Sequence, residues 1–292
     1  MLHDLAPTLQ SASQSPSRNE TGARPIAMAL LLTSIAGFID AAGYVVLAHI
    51  FVANMSGNSV AAGLYAVERD WRLMFHRGFP VLVFVVGLIL GGVVAEAQRP
   101  HGKRRAIGWC LLLESTFLGG FILYGAALIG WHGRLIPATL GAESVMVILP
   151  ALAMGVQNVT LRASGALSIY TTHVTGTLTQ LADDIVRWGQ WMHGYLKCRS
   201  PAARRWRRLL RMTPRHPVAQ EAVFLAALWV VYVIGAIGGG VGIEFWGIIS
   251  VSIPFAILAV LAIFCLRFPG QPAMRNDSHL PYHHAWRHRC RR

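Results

Sequence analysis

The stretch "GFIDAAGYVVLAHIFVANMSGNSVAAG", residues 37–63, interrupts an apolar run with Asn54, Ser56, Gly57 and Asn58. A chain that crosses a bilayer cannot leave backbone amides facing lipid, because each unsatisfied group costs several kcal/mol there. The polar patch therefore predicts a break in a membrane helix that lines a cavity or packs inside protein. Glycine permits the break, and Ser56 or Asn58 is predicted to cap the helix that follows.

A second stretch, "GVQNVTLRASGALSIYTTHVTGTLTQLA" at residues 155–182, has the same outline. Gly155 precedes Asn158 by three residues, as Gly37 precedes Asp40. The motif TGT then takes the place of SGN, and its threonines are the predicted caps of the second helix after a break. Two opposed helix N-termini favour negative charge or a polar carbonyl group. The alternative is that SGN and TGT are tight turns or close helix contacts, which small residues commonly make in lipid.

The span after each break also recurs, because Gly87, Gly91 and Gly92 match Gly235, Gly239 and Gly240. Each half closes with one more apolar run, so the chain is predicted to contain two copies of a three-span unit. An odd number of spans per copy inverts the second copy relative to the first. Inverted repeats with interrupted helices are a common build of secondary transporters.

Composition indicates a membrane protein, because 54% of the 292 residues are hydrophobic and 13% are charged, against about 25% charged in soluble domains. The net charge of +13 does not indicate a nucleic-acid binder, since the arginines stand between apolar runs. The four cysteines form no CxxC pair, and neither a metal site nor a cofactor is predicted. Six spans are predicted, at 26–50, 80–97, 106–130, 145–162, 222–242 and 246–267.

Basic loops set the predicted orientation, because lysine and arginine concentrate in cytoplasmic loops. The loop 98–105 and the basic loop 187–220 are rich in arginine, so both are predicted to face the cytoplasm. Both termini then lie in the cytoplasm, and the bacterial cytoplasmic (inner) membrane is the predicted location. The exception is the loop that carries Arg69, Arg72 and Arg77, which would face outside.

The predicted fold is thus an all-α integral membrane protein with six transmembrane helices in two inverted three-helix repeats and helix breaks near SGN and TGT. A disordered tail at 1–25 precedes a transmembrane domain at 26–268, whose repeats are 26–130 and 145–268, and a basic tail follows at 269–292. The run "RRWRRLLR" suits an amphipathic helix on anionic lipid, with contacts predicted at Arg204, Arg205, Arg207 and Arg208.

The motifs "GFIDAAGY", "FVANMSGNS", "GVQNVTLR" and "TTHVTGTLTQL" resemble the bacterial YoaK-type membrane protein family, over roughly residues 26–268. The resemblance implies a bacterial integral membrane protein of about six spans. It implies no substrate.

Two acids fall well inside predicted spans and away from their ends, where a charge costs at least about 2.5 to 3.5 kcal/mol. Asp40 either binds a coupling proton or cation, or caps a helix break through hydrogen bonds; both readings stay open. Glu114 is either a relay group or a helix-helix hydrogen-bonding group through Ser115 or Thr116 of a neighbour. Asn158 occupies the place of Asp40 in the second half and cannot titrate.

The predicted function is transport of a small polar solute, anionic solutes included, by alternating access. The alternatives are a receptor or scaffold that uses the arginine loop, and a membrane-embedded enzyme, which the absence of HExxH and GxSxG motifs makes the weakest. An oligomer is left open. Asp40 and Glu114 are the predicted proton-coupling residues, and the predicted substrate-binding residues are Asp40, Asn54, Ser56, Gly57, Asn58, Gln157, Asn158, Thr172, Thr175, Gly176 and Thr177.

Overall fold

The computed structural model describes residues 23–133, 140–165, 174–196 and 216–268. Within these ranges the chain is helical and contains no β-strand. The predicted tail at 269–292, nearly all of the tail at 1–25 and the four arginines predicted to meet anionic lipid lie outside the described residues. Thr172 and the side chain of Thr175 also lie outside them.

Eight α-helices lie in the described ranges, joined in places by short 3-10 turns at Arg99–His101 and Gly247–Val251. In chain order they are α1 (Ala23–Val46), α2 (Met55–Val67), α3 (Trp71–Gln98), α4 (Lys103–Ile129), α5 (Leu140–Ser164), α6 (Val174–Leu196), α7 (Pro217–Trp246) and α8 (Ser252–Arg267).

Five helical stretches of the described chain are long and apolar enough to cross a membrane, so the prediction of six is not confirmed. They are Pro25–Val46, Trp71–His101, Lys103–Ile129, Val145–Ser164 and Pro217–Arg267. The difference lies in the last stretch, which contains both α7 and α8 and therefore both of the last two predicted spans. Gly247, with φ +67, ends α7 in a conformation that favours glycine.

The first predicted span is too long, because α1 ends at Val46 rather than at residue 50. Ala48 and His49 adopt left-handed backbone conformations with φ of 50 and 66, which end the helix. The chain then runs irregularly to Asn54, where α2 begins. The break thus lies upstream of SGN, and the SGN residues form the first turn of α2.

Close glycine contacts join α1 to α7. A methyl group added at Gly37 would collide with the carbonyl oxygen of Tyr232, and one at Gly235 would collide with that of Ser34. Gly239 meets Phe38 in the same way. Because Ser34 lies beside Gly235 and Phe38 beside Gly239, the two helices run in the same direction.

A second pair, α3 and α5, has the same type of contact. Gly155 lies against the backbone of Phe84, Gly87 against that of Leu152, and Gly91 against that of Val156. These two helices are also parallel. Backbones approach this closely only where side chains are absent, which is the packing that small residues provide between membrane helices.

The helix α4 lies between α5 and α8 and runs antiparallel to both. Gly125 packs against Met146 and Ile248, whereas Gly120 meets Leu149 of α5 and Gly108 meets Leu266 of α8. Two backbone bonds join the ends of α4 and α7: Ile248 N–H donates to the Gly133 carbonyl at 3.1 Å and Ile249 N–H to that of Trp131 at 3.2 Å.

The two shorter or more polar helices, α2 and α6, lie outside this packing. The helix α2 packs against α3, and Asp70 caps α3 between them by accepting a hydrogen bond from Leu73 N–H at 3.0 Å. The helix α6 packs against α7, where Gln180 donates to Glu221 at 3.2 Å. Each broken-helix segment thus packs on the long helix that follows it in the chain.

Candidate functional site

The site is built on residues 47–54, where the chain folds back along the end of α1. Gly43 has no side chain, and Val52 packs directly on it. The ring of Tyr44 contacts the rings of both His49 and Phe51, with centroids 4.8 and 4.6 Å away. This return brings the backbone amides that precede α2 beside the last two turns of α1.

The Asp40 carboxylate holds this returning backbone. Its Oδ1 atom accepts hydrogen bonds from the N–H groups of Val52 at 2.8 Å, Ala53 at 2.7 Å and Asn54 at 3.3 Å. Its Oδ2 atom accepts one from the Tyr232 hydroxyl of α7 at 2.9 Å. Both oxygens of this buried group therefore have donors, which is the arrangement expected of a group that caps a helix break.

Asn54 is the N-cap of α2, so the prediction that Ser56 or Asn58 caps this helix is wrong. Its Oδ1 atom accepts from Gly57 N–H at 3.4 Å and from the Ser56 hydroxyl at 2.8 Å. The cap lies earlier than predicted because α2 already begins at Met55. Ser56 is exposed and remains accessible at the start of the helix.

Asn58 is buried and clamps the loop through the backbone of Phe51. Its Oδ1 atom accepts from Phe51 N–H at 3.1 Å, and its Nδ2 group donates to the Phe51 carbonyl at 2.6 Å. A buried amide that makes both bonds to one residue fixes the register of the loop against α2. Arg77 of α3 closes the same loop, because its guanidinium donates to the carbonyl of His49.

The predicted residues of the second half lie on α5 and α6. The Nε2 group of Gln157 donates to the Leu32 carbonyl of α1 at 3.2 Å, while its Oε1 atom has no hydrogen-bond partner within the described ranges. Asn158 donates to the Met154 carbonyl of its own helix at 2.9 Å. Gly176 is exposed and Thr177 is buried in the first turn of α6.

The structure brings Asp40, Asn54 and Asn58 together around one loop, and it brings Gln157 against α1. It does not pack α2 and α6 against each other in the described chain. The convergence of the two motifs on one pocket therefore stays a prediction, as do the substrate-binding assignments.

Glu114 is fully buried, and neither of its carboxyl oxygens has a hydrogen-bond partner in the part of the chain that the structure describes. The hydroxyls of Ser115 and Thr116 donate within their own helix, to Leu111 O at 2.6 Å and Leu112 O at 2.9 Å. A bond from Glu114 to these residues of a neighbour stays a prediction. One turn away, Cys110 donates to the Gly91 carbonyl at 3.6 Å and lies within hydrogen-bonding reach of Thr160.

Sequence reasoning missed Tyr232, Cys110 and Thr160. A signal existed for Tyr232: it stands three residues before Gly235, as Phe84 stands three residues before Gly87 in the predicted first copy. The hydroxyl is what distinguishes Tyr232 from Phe84. No group of three or more His, Cys, Asp or Glu side chains in the described ranges lies close enough to hold a metal ion.

Comparisons with known proteins agree with this architecture. A family described as "Protein of unknown function (DUF1275)" matches residues 28–264. The UPF0700 transmembrane protein YoaK of Bacillus subtilis (strain 168) is 31% identical over 156 residues, which are 53% of this chain and 64% of that protein. The match thus spans just under two thirds of that relative. No solved structure matches the chain. The resemblance to the YoaK-type family is confirmed, and the chain is a multi-pass membrane protein that belongs to the DUF1275 family.

Proposed function

We propose that the protein is a secondary transporter for a small polar solute, built from two inverted three-helix repeats that rock against each other. The observation that carries the proposal is the equivalence of the close contacts in the two halves. Gly37 meets Tyr232, which stands three residues before Gly235; Gly155 meets Phe84, which stands three residues before Gly87.

The reciprocal contacts agree as well. Gly235 meets Ser34, three residues before Gly37, and Gly87 meets Leu152, three residues before Gly155. The first long helix of each copy thus packs against the second long helix of the other copy. Such an exchange between copies is what a two-fold axis in the membrane plane produces, and it supports rocking of one unit against the other.

The length of the last apolar stretch supports six crossings. As one straight helix, its 51 residues would extend about 77 Å, more than twice the roughly 30 Å hydrocarbon core. The turn at Gly247 and the antiparallel packing of α8 on α4 favour two crossings instead.

The parallel pairing of α1 and α7 supports the proposed orientation. Both helices begin on one side, and α7 begins directly after the arginine-rich loop. By the positive-inside rule that side is the cytoplasm, so the N-terminus is proposed to lie there. With six crossings the C-terminus is proposed to lie in the cytoplasm too. The membrane is proposed to be a bacterial inner membrane.

The contacts of Asp40 bear on the charge of the solute. Its carboxylate already occupies the position before the N-terminus of α2, where a bound anion would otherwise lie. The second copy has the neutral Asn158 instead of an acid. We therefore assign any anionic group of the solute to the second half, near Thr175, Gly176 and Thr177, and leave the first half to polar contacts such as Ser56.

Single-cysteine variants at Ser56 and Gly176, the exposed residues at the two helix starts, test the proposal. An impermeant maleimide is added to either face of oriented vesicles, with a panel of small polar and anionic metabolites. We expect the maleimide to label the two sites from opposite faces of the membrane. A transported solute should raise the labelling rate at one site and lower it at the other. Rates that no solute changes at either site would refute alternating access.

Cysteines at Gly63 of α2 and Gly189 of α6 are the matched controls. A side chain added at either glycine meets nothing within 4 Å, so neither substitution disturbs packing. Both lie on the same helices as the test sites but away from the breaks. A solute response of equal size at these controls would indicate a general change in the membrane rather than alternating access.

A further inference from the structure

We propose that Glu114, sealed among α3, α4 and α5, is the group that binds and releases a coupling proton; the inference rests on the proposed transport function. Glu114 is 0% exposed, and both carboxyl oxygens lack a hydrogen-bond partner among the described residues. An unpartnered carboxyl of this kind is the exception among buried polar groups and requires an explanation.

The position of Glu114 follows from its neighbours. One turn toward the start of α4, Cys110 contacts Thr160 of α5 and the Gly91 carbonyl of α3. Farther along, Gly120 meets Leu149 of α5. Because α4 and α5 are antiparallel, Glu114 lies level with the turn of α5 that carries Val156 and Gln157.

Among the described side chains of the packed helices, no charged group lies at that level. On α5 Arg162 is six residues away and exposed, about 9 Å along the axis. The side chain of Cys265 on α8 lies beside Gly108, which is also six residues from Glu114. The other charged and titratable side chains of α3, the Arg99–His101 turn and α8 lie farther away along their helices. They are Arg72, His76, Arg77, Glu96, Arg99, His101 and Arg267. On α4 itself the basic residues are Lys103, Arg104 and Arg105 in its first turn.

An ionised carboxylate without a donor or a cation is far more costly to bury than a neutral carboxyl. Glu114 therefore carries a proton in this conformation. Release breaks the O–H bond, leaves the electron pair on the carboxylate and passes the proton to water. Water reaches the group only when α4 separates from α3 and α5, so proton release and helix movement occur together.

Asp40 has the opposite environment, although it too is a buried acid within an apolar helix. Three backbone N–H groups and the Tyr232 hydroxyl already surround its oxygens. Those bonds hold the loop in place, and exchanging a proton at Asp40 would disturb them. We therefore assign the proton to Glu114 and a structural role to Asp40.

Infrared difference spectroscopy of the full chain in lipid nanodiscs tests the assignment. We expect a neutral carboxyl band at neutral pH that Glu114→Gln removes and Asp40→Asn preserves. The band should disappear in alkaline buffer, with the same titration in sodium and choline salts. A spectrum in which Glu114→Gln removes a carboxylate band instead would overturn the proposal, and so would a titration that depends on sodium.

Labelling of Cys110 provides a second measurement, in a chain whose Cys198, Cys265 and Cys290 are serine. Alkaline buffer raises the reactivity of an accessible thiol in every variant, but in the parent it also charges Glu114 and should open the helices. The rise in labelling rate from acidic to alkaline buffer should therefore be several-fold larger in the parent than with Glu114→Gln. Equal rises in both proteins would contradict coupled opening.

The transport proposal and the proton-site proposal can be refuted independently of each other. A neutral carboxyl band at Glu114 without any solute-dependent maleimide labelling would retain the proton site and refute transport. Solute-dependent labelling with an ionised Glu114 would retain transport and refute the proton site. If Glu114→Gln does not fold, deuterium exchange of the wild-type band tests the seal: slow exchange supports it and immediate exchange overturns it.

Discussion

The Oδ2 atom of Asp40 and the hydroxyl of Tyr232 are hydrogen bonded at 2.9 Å across 192 residues of sequence. The bond joins α1 of the first half to α7 of the second half. It also connects the loop at residues 47–54 to the other half, because the same carboxylate binds the amides of that loop. A movement of α7 against α1 would therefore act directly on the loop.

Removing the Asp40 carboxylate should reduce the free energy of unfolding more than removing the Tyr232 hydroxyl. Asp40→Ala leaves three amides and a hydroxyl without an acceptor, at about 1 to 3 kcal/mol for each buried group, so we expect a loss of at least about 3 kcal/mol. Tyr232→Phe removes one bond to a charged group and should cost about 1.5 to 3 kcal/mol. Thermal unfolding in detergent measures both. Equal losses for the two variants would contradict the role assigned to the loop amides.

Asn58→Asp tests the clamp on Phe51. The substitution preserves size and one acceptor but removes the donor to the Phe51 carbonyl and places a carboxylate against that oxygen. We expect a loss of about 2 kcal/mol or more in the free energy of unfolding. Ser59→Ala is the control, since Ser59 is exposed on the same helix. Equal stability of Asn58→Asp and wild type would show that the loop does not depend on this bond.

Adjacent glycines on α7 provide a matched pair. Gly239→Ala drives a methyl group into the backbone of Phe38, whereas Gly240→Ala meets nothing within 4 Å. The first should destabilise by about 1 to 3 kcal/mol through overpacking. The second should be neutral or stabilise by up to about 1 kcal/mol, because alanine favours a helix. Unfolding midpoints in detergent distinguish them, and the reverse order would refute the parallel packing of α1 and α7.

The carboxyl of Asp184 on α6 should make the stability of the protein depend on pH. Burial raises the pKa of its carboxyl above the ordinary value, and the nearby Glu221 raises it further. A raised pKa means that the folded state binds the proton more tightly than the unfolded chain. Stability should therefore fall as pH rises from the ordinary aspartate pKa through the higher folded pKa.

Asp184→Asn should reduce that slope and raise the unfolding midpoint at neutral pH. Asp183→Asn is the control, because Asp183 is exposed beside it. Unfolding midpoints over a series of pH values measure the effect. If both variants retain the slope of the wild type, the pH dependence does not come from Asp184.

Replacing residues 197–215 with a neutral linker of equal length separates transport from the scaffold alternative. A transporter should still show solute-dependent labelling at Ser56→Cys and Gly176→Cys. A scaffold that works through the arginines would lose its function without any effect of solute on those sites. Loss of solute-dependent labelling in a folded variant would move the solute site into this loop.

The helical class and most helix positions could be predicted from apolar runs, because bilayer thickness sets their length. The loop at 47–54 could not, since Leu47, Ile50 and Phe51 continue the apolar pattern of α1. The helix ends where Ala48 and His49 turn left-handed. Alanine gives no signal for this conformation, and histidine, although enriched there among non-glycine residues, adopts it too rarely to predict it. The cap was misassigned for the same reason.

The residues of the candidate site were largely found from their polarity inside apolar runs, but their partners were not. Asp40 was noted with two open readings, and only the fold shows that Tyr232 and three amides surround it. Hydrogen-bond partners that are distant in sequence follow from helix register, which single-chain periodicity does not determine. Glu114 is the converse, a polar residue for which the described part of the fold supplies no hydrogen-bond partner.

The position of the Asp40 donors also determines when they become available during synthesis. The three amides lie 12 to 14 positions after the acid, so they leave the ribosome almost with it. A nascent chain that ends after α2 therefore already contains most of what shields this group as it enters the bilayer. Tyr232 is synthesised only when the second half is translated. Its hydroxyl becomes the fourth hydrogen-bond donor to Asp40 as the two halves come together.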